Sequence, residues 1–228
     1  WIHESEVIDY VEEDVIMIPD LSTIRKIPWN KEPTAQIICD LYYNSVSPSD
    51  IAPRQILKNM IKTLQEADME AIVAPELEFY LCEQNLDPDL PLKTPIGKSG
   101  RRESGSRVFG IDAVNEFDTL TDDIYDYCEI LKIGVDTLIH ESGPSQIEIN
   151  LNHGDPLALA DQAFMFKRAV RQVALKHGIH ATFMAKPYQG HPGSSMHIHH
   201  NLVSSNTKKN LFCDEDGNNS RTFFNFVG

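Results

Sequence analysis

Three short segments of the chain alternate strictly between apolar residues and residues of the kinds that bind metal ions. This alternation limits the possible folds more than any other feature. The segments span residues 76–79, 146–151 and 196–199. Because successive side chains of a β-strand point to opposite faces of a sheet, each segment has one apolar and one polar face. We therefore expect strands whose apolar faces are buried against a core.

The polar faces carry carboxylate, amide and imidazole groups and no lysine. They comprise Glu76, Glu78, Gln146, Glu148, Asn150, His197 and His199. One interpretation is a half-exposed antiparallel sheet with polar side chains in water, although such a face would use lysine, threonine and serine freely. The other is that the strands are neighbours and their ligand-type side chains converge. The converging set is then Glu76, Glu78, Glu148 and His197, with Glu141 close enough to join it.

The residue types in this set indicate the kind of metal ion. Carboxylate-rich sites suit Mg²⁺ or Mn²⁺, and a histidine ligand favours Mn²⁺ at its position. Two such cations side by side suit phosphoryl transfer, because they bridge and neutralise phosphate oxygens. The spacing alone predicts a divalent-metal enzyme and leaves the reaction open.

Helices are predicted in three places. The first begins near Pro53, which suits a first helical turn. The second is expected to begin after Thr121 as its N-cap, with acidic residues in its first turn, and to run towards Gly134. The third is capped by Asp155 and ends before Gly178.

The remaining segments read as strands and loops, and the mixture indicates an α+β fold. Further strands are predicted at residues 14–18, 34–39, 71–81 and 181–185. The segment 84–107 is rich in Pro, Gly, Ser and charged residues, so we interpret it as a long mobile loop, and loops of this length are often functional. The loop at 190–196 contains small residues that let backbone amides approach a ligand, but an ordinary turn explains it equally well.

Charge and composition exclude several classes of partner. The formal net charge of −14 argues against nucleic acid and anionic membranes, because both are bound through basic patches. No stretch approaches the roughly 18 apolar residues that a membrane span needs, and no signal-peptide pattern opens the chain. The cysteines fit neither a zinc site nor a disulfide framework, so we expect a cytoplasmic protein. They are Cys39, Cys82, Cys128 and Cys213.

The order of these motifs along the chain resembles that of glutamine synthetases. The segment 75–81 is similar to the first metal motif of the family, and Glu141 with 146–150 is similar to the second. The segments 181–187 and 193–199 are similar to the third. The resemblance covers essentially all 228 residues in order.

The resemblance implies a domain organisation and an assembly. Residues 1–46 look like the end of the family's amino-terminal β-grasp domain, and residues 47–228 look like the first part of its catalytic domain, with a curved antiparallel sheet. The chain begins without Met and ends in an apolar run, so we interpret both ends as truncations. Active sites in the family form between subunits of a ring, commonly a dodecamer of two hexameric rings, which implies a homo-oligomer.

The resemblance also implies a reaction and roles for individual residues. ATP phosphorylates the side-chain carboxylate of L-glutamate, and an amine then displaces the phosphate, with two or more Mg²⁺ or Mn²⁺ ions in the site. One metal ion would be held by Glu78, Glu141 and Glu148, and the other by Glu76 and His197. Contacts to ATP would come from Asp136, His199, His200 and Asn201. The backbone of Gly193 would meet glutamate.

The chain departs from the ammonia-using members of the family at one loop. They usually have NGSGMH where this chain has PGSSMH at residues 192–197. The segments 111–118 and 125–130 look more like the γ-glutamylputrescine synthetase group. We therefore expect an organic amine such as a polyamine or methylamine as the acceptor, with ammonia as the alternative.

Two other classes of protein are alternatives to a ligase: a non-catalytic relative and a metal-dependent hydrolase. A non-catalytic relative on the same scaffold has no need for clustered carboxylates, which repel without cations. A metal-dependent hydrolase would need a base beside a metal-bound water, and no H-E-x-x-H motif occurs.

The main acid–base and arginine residues of the family are expected outside this chain, so its catalytic residues stay unassigned and the chain alone is expected to be inactive.

Overall fold

The computed structural model describes residues 14–87, 89–105 and 107–228, and the first 13 residues of the predicted domain 1–46 lie outside the described residues. The predicted α+β class is confirmed. The strands are β1 (Ile16–Pro19), β2 (Arg25–Lys26), β3 (Ala35–Gln36), β4 (Cys39–Tyr42), β5 (Met69–Glu83), β6 (Val135–His140), β7 (Gln146–Leu151), β8 (Ile179–Thr182) and β9 (Met196–Ser204). The helices are α1 (Pro53–Glu66), α2 (Ile111–Asn115), α3 (Asp118–Leu131), α4 (Pro156–Lys176) and α5 (Arg221–Val227).

A five-stranded antiparallel sheet with β5 at its centre forms the larger part of the fold. Its order is β6-β7-β5-β8, and β9 also pairs with β5. With 15 residues, β5 is long enough for β9 to pair with its first part and β8 with its last, both on the edge opposite β7. The three segments with alternating sequences therefore become β7, β5 and β9, lying side by side.

The apolar face of the sheet forms the core, as the alternation predicts. Leu77 and Phe79 of β5 and Ile147 and Ile149 of β7 are buried in one cluster with residues of α3 and α4. Burying each such side chain stabilises the fold by about 1.5–3 kcal/mol. The two helices thus cover one face of the sheet and leave the polar face for other contacts.

The prediction for the apolar face of the third strand is wrong. Met196 and Ile198 of β9 are exposed, although the alternation places them on the buried side. The buried face packs mainly against α3 and α4, whose core cluster is built on β5, β7 and β8. The start of β9 therefore has no covering layer among the described residues.

Two of the three helix predictions are confirmed at their starts, and one is wrong. Helix α1 begins at Pro53, and α4 begins after Asp155, whose carboxylate accepts a hydrogen bond from the Ala158 N–H at 2.8 Å. Helix α3 begins at Asp118 rather than after Thr121. The Thr121 hydroxyl donates to the Asp118 carbonyl at 2.9 Å, so this residue is buried inside the first turn instead of capping it.

Strand bounds and loops differ from expectation in detail. The strand predicted at 181–185 is β8, which starts and ends earlier, and β5 is longer than the predicted 71–81. The segment 84–110, which we call the connecting segment, holds no named helix or strand among its described residues, as predicted for a loop. All four cysteines are free thiols, and no helix in the described ranges is long and apolar enough to cross a membrane.

The amino-terminal strands form two small antiparallel sheets, β1 with β4 and β2 with β3. Helix α1 ties the β1–β4 sheet to α4 through Arg54, whose guanidinium lies 2.6 Å from the carboxylates of both Asp20 and Asp40 and 3.0 Å from that of Asp161. Lys58 adds a contact of 2.5 Å to Asp40. We call these five residues the Arg54 cluster. Assignment of this region to a β-grasp domain stays a prediction.

Candidate metal centre

Strand register brings the predicted metal ligands to one place on the polar face of the sheet. Glu76 on β5 lies opposite Asn150 on β7 and opposite His197 on β9. Glu78 lies directly opposite Glu148. Because directly opposed residues of antiparallel strands point to the same face, the three polar faces become one surface.

Distances show how close these groups are. One ligand atom from each of Glu76, Glu148 and His197 lies within 4.8 Å of the other two. The His197 Nδ1 atom lies 3.3 Å from Glu76 Oε2 and 3.9 Å from Glu78 Oε1. The His199 Nε2 atom lies 2.8 Å from Glu76 Oε1. We call Glu76, Glu78, Glu141, Glu148 and His197 the metal face.

The carboxylates of the metal face are crowded and partly buried, and among the described residues no lysine or arginine accompanies them. Glu78 and Glu148 are 8% and 6% exposed, and no lysine or arginine of the described residues forms an ion pair with any carboxylate of the metal face. Burial, followed by the charges of Glu76, Glu141 and Glu78, raises the pKa of Glu148 above its usual range. Burial and the charges of Glu78 and Glu141 raise the pKa of Tyr80 to about 12.

A tight turn at residues 140–145 places Glu141 at the edge of the metal face. The Glu141 N–H donates to the Gln146 carbonyl at 2.9 Å, and the Gly143 N–H donates to the Gln146 side chain at 2.9 Å. A Cβ atom on Gly143 would lie 1.8 Å from the Tyr80 hydroxyl, so only glycine fits there. The turn thus packs directly against the central strand.

Gln146 joins the metal face to the loop between β8 and β9. Its Nε2 group donates to Glu78 Oε2 at 2.9 Å and to the Gly193 carbonyl at 3.0 Å. The Ser195 N–H also donates to Glu78 Oε2, at 3.1 Å. A Cβ atom on Gly193 would come within 2.7 Å of the Ala185 carbonyl, so the small residue allows this close approach.

Only part of the predicted nucleotide set lies near the metal face. Asp136 and His199 line one cleft together with Glu76 and Asn150. His200 points to the other face of β9, where its ring centroid lies 5.9 Å from that of Phe226. Asn201 returns to the side of His199, opposite Ile72, and its Oδ1 atom is buried with no hydrogen-bond partner in the described part of the chain.

Sequence reasoning missed a buried network beside Glu141. Glu103, in the connecting segment, accepts hydrogen bonds from the His140 ring and the Ser145 N–H. Burial opposes ionisation of Glu103, but these two hydrogen bonds and the charges of His140 and Arg107 outweigh it and lower its pKa. No sequence signal marks Glu103, because a loop has no periodicity from which to read the direction of a side chain.

The donor set of the metal face fits a hard divalent cation. Oxygen ligands dominate and one imidazole joins them, as Mg²⁺ and Mn²⁺ sites require. The uncompensated, partly buried carboxylates supply the charge that such a cation would balance.

Comparison with known proteins identifies the family. The family model described as "Glutamine synthetase, catalytic domain" matches residues 50–228. The chain belongs to the glutamine synthetase family.

Relatives within the glutamine synthetase family are named for different products. The chain is 35% identical to gamma-glutamylputrescine synthetase PuuA of Escherichia coli K12, over 92% of this chain and 44% of the relative. It is 32% identical to glutamine synthetase of Methanocaldococcus jannaschii, over 89% of this chain and 44% of the relative. A solved structure, "Apo GmaS without ligand", superposes with a TM-score of 0.80 at 26% identity, over 96% of this chain and 50% of that chain.

These coverages show that the chain spans about half the length of the relatives it matches, or slightly less. The family membership therefore rests on the described fold and the matched catalytic domain.

Proposed function

We propose that the full-length protein is an ATP-dependent ligase that joins an amine to the γ-carboxylate of L-glutamate through γ-glutamyl phosphate. The observation that carries this proposal is the convergence of Glu76, Glu148 and His197 within 4.8 Å on one face of the sheet. Membership of the glutamine synthetase family supports the reaction class.

The residues of the metal face have distinct roles in this proposal. Glu78, Glu141 and Glu148 hold one Mg²⁺ or Mn²⁺ ion, while Glu76 and His197 hold another. When bound, the two ions neutralise charge on the transferring phosphate. The hydrogen bonds from Gln146 and from the Ser195 N–H fix the Glu78 carboxylate, so the ligand does not have to reorganise during the reaction.

Substrate contacts follow from the neighbouring surfaces. Asp136 and His199 line the cleft proposed to receive ATP. His200 and Asn201 of the same strand are also proposed to contact ATP, although the His200 ring lies on the other face of β9, beside Phe226. The loop that contains Gly193 lies against Glu78 and presents its backbone to glutamate. Within this loop, the missing side chain at position 193 lets the Gly193 backbone pass close to the Ala185 carbonyl.

We propose an organic amine, such as a polyamine or methylamine, as the acceptor. The PGSSMH sequence at 192–197 and the similarity to gamma-glutamylputrescine synthetase PuuA support this choice. Ammonia is the alternative, and the similarity to an archaeal glutamine synthetase at 32% identity supports it.

Several further properties belong to the same proposal. The protein acts in the cytoplasm as a homo-oligomer, a dodecamer of two hexameric rings, and residues 1–46 complete a β-grasp domain. The chain by itself is inactive, because residues of the site lie elsewhere in the protein or in a neighbouring subunit. Amide synthesis by the isolated chain would contradict this last statement.

The test is ADP release by the full-length protein with L-glutamate, ATP and Mg²⁺, comparing ammonium, methylamine and putrescine. Turnover with an organic amine alone supports the proposed acceptor, and turnover mainly with ammonium replaces it by ammonia. Glu148→Gln should abolish turnover with every amine, while Glu66→Gln on the exposed surface of α1 serves as the matched control. Absence of turnover with all three amines would contradict the ligase.

A further inference from the structure

The connecting segment carries one side chain that is buried beside the metal face. Glu103 is 9% exposed, and its Oε2 atom accepts two hydrogen bonds, from His140 Nε2 at 2.9 Å and from the Ser145 N–H at 2.6 Å. Its Oε1 atom is buried and has no hydrogen-bond partner among the described residues. All the hydrogen bonding seen for this carboxylate therefore goes to one turn.

The two partners of Glu103 stand at the two ends of that turn. His140 is the last residue of β6, and its Nδ1 atom lies 2.8 Å from the Glu141 carbonyl. Ser145 is the residue before β7. A single carboxylate oxygen thus bridges the residue before Glu141 to the residue before Gln146.

The backbone of Ser145 shows that the turn needs outside support. Its φ of +59° lies in the left-handed region, which residues other than glycine rarely adopt. Such conformations persist when surrounding contacts hold them in place. The Ser145 N–H donates to Glu103 and its carbonyl accepts from the Leu81 N–H at 2.9 Å, so both of its peptide groups are held.

Movement of this turn would displace two residues of the metal face, Glu141 directly and Glu78 through Gln146. Glu141 lies within the turn, and its N–H donates to the Gln146 carbonyl. Gln146 follows the turn directly and donates to Glu78 Oε2 at 2.9 Å. Two of the proposed metal ligands therefore depend on where the turn sits.

We propose that Glu103 is a positioning residue that locks the turn at 140–145 and so sets the geometry of Glu141 and, through Gln146, of Glu78. The connecting segment is thereby coupled to metal affinity, although none of its described residues belongs to the metal face. This inference rests on the proposed function, because it assigns a metal ion to these carboxylates.

The experiment measures Mn²⁺ binding to the full-length protein without substrates, by electron paramagnetic resonance titration of free Mn²⁺. Glu103→Ala is expected to weaken Mn²⁺ binding by about 10-fold or more, the usual effect of removing a group that orients metal ligands. Glu103→Gln should stay within about threefold of wild type, because its amide oxygen still accepts hydrogen bonds at the same place.

Arg102→Ala is the matched control. Arg102 lies next to Glu103 in the connecting segment, but its guanidinium contacts Glu83 at 2.5 Å and the Thr94 carbonyl, away from the turn. This variant should keep the wild-type affinity for Mn²⁺. An equal loss in Arg102→Ala would show that any loosening of the segment has the same effect, and would overturn the specific role of Glu103.

The outcomes separate this inference from the proposed function. If the wild-type protein binds no Mn²⁺, the proposed metal site fails and the inference fails with it. If the wild type binds Mn²⁺ and folded Glu103→Ala binds it equally well, the inference alone is overturned. Should Glu103→Ala fail to fold, Glu103→Asp decides, since its carboxylate is one methylene too short to reach both partners. A loss of about 10-fold or more supports the inference, and unchanged affinity overturns it.

Discussion

Two carboxylate clusters of the molecule differ in whether basic side chains neutralise their negative charge. In the Arg54 cluster, three aspartates surround an arginine and a lysine at 2.5–3.0 Å. In the metal face, His197 lies 3.3 Å from Glu76 and 3.9 Å from Glu78, and no arginine or lysine of the described residues pairs with any of the four glutamates. The first cluster contains its own cations, and the second is the one proposed to bind cations from solution.

The carboxyl pKa values follow this difference. Hydrogen bonds from Ser22 and Arg54 lower the pKa of Asp20 to about 2. Burial opposes ionisation of Asp40, but Lys58 and Arg54 outweigh it and lower the pKa of that carboxyl. In the metal face, burial and neighbouring glutamates raise the pKa of Glu148. The Arg54 cluster therefore stabilises the fold, while the crowded carboxylates of the metal face destabilise it unless the proposed metal ions balance their charge.

Removal of the central cation should show the largest effect. Arg54→Ala leaves three partly buried aspartates facing one another, and breaking buried ion pairs in this way costs about 3 kcal/mol of unfolding free energy. Urea unfolding measures the loss. Arg25→Ala, whose guanidinium contacts only the backbone carbonyls of Ser22 and Ile24 in the described structure, should change stability by less than about 0.5 kcal/mol. A loss below about 1 kcal/mol in Arg54→Ala would contradict the comparison.

Divalent metal ions should raise the unfolding free energy by binding to the metal face and not to the Arg54 cluster. Mn²⁺ at 100 times its Kd should raise the unfolding free energy by about 2.7 kcal/mol relative to EDTA, because binding to the folded state alone stabilises it. The same increment is expected in Arg54→Ala, since that cluster does not touch the metal face. Thermal unfolding with and without EDTA gives the increment, and an equal increment in Glu148→Gln would place the ions elsewhere.

Neutralising one glutamate should have a smaller effect of opposite sign to that of Arg54→Ala. Glu148 faces Glu78 directly across β5 and β7, and opposed like charges destabilise a sheet by up to about 1 kcal/mol. Glu148→Gln should therefore raise stability by that amount in EDTA while removing the Mn²⁺ increment. Urea unfolding of the metal-free protein tests this, and a clear loss of stability would show that Glu148 is already balanced without metal.

The pH dependence of the Arg54 cluster should show the smallest effect. The folded pKa of Asp20 is about 2, below the ordinary value of 3.8, so its stabilising contribution is complete above pH 3.8 and is lost as the pH falls towards 2. The side chain is 25% exposed, and solvent screening keeps the contribution below about 1 kcal/mol. Wild type should lose more stability than Asp20→Asn between pH 5 and pH 3 in urea unfolding, and parallel curves would contradict this assignment.

Sequence predicted the polar faces well because alternation is a local property of a strand. The periodicity at 76–79 and 146–151 is enough to put Glu78 and Glu148 on the same side once the strands pair. Alternation could not predict which faces are covered, since that depends on how far α3 and α4 extend. This is why Met196 of β9 is exposed, contrary to expectation.

Two further differences between prediction and structure concern the start of α3 and the position of Glu103. Thr121 is a good capping residue, but Asp118 lies one turn earlier and begins α3 in its place. Glu103 gave no signal at all, because its position depends on a contact with Ser145, 42 residues away along the chain. Contacts between a loop and residues far away in the sequence are the part of the site that cannot be predicted from a single sequence.

The contact between Gly143 and Tyr80 has a consequence for related sequences. The Tyr80 hydroxyl occupies the space that a Cβ atom on residue 143 would need, and it donates to the Pro192 carbonyl at 2.7 Å. The two positions should therefore covary during evolution: homologues with tyrosine at position 80 should keep glycine at 143. A larger residue at 143 should appear only together with a smaller one at 80. Homologues with this exchange would lack the hydrogen bond from residue 80 to the carbonyl of residue 192.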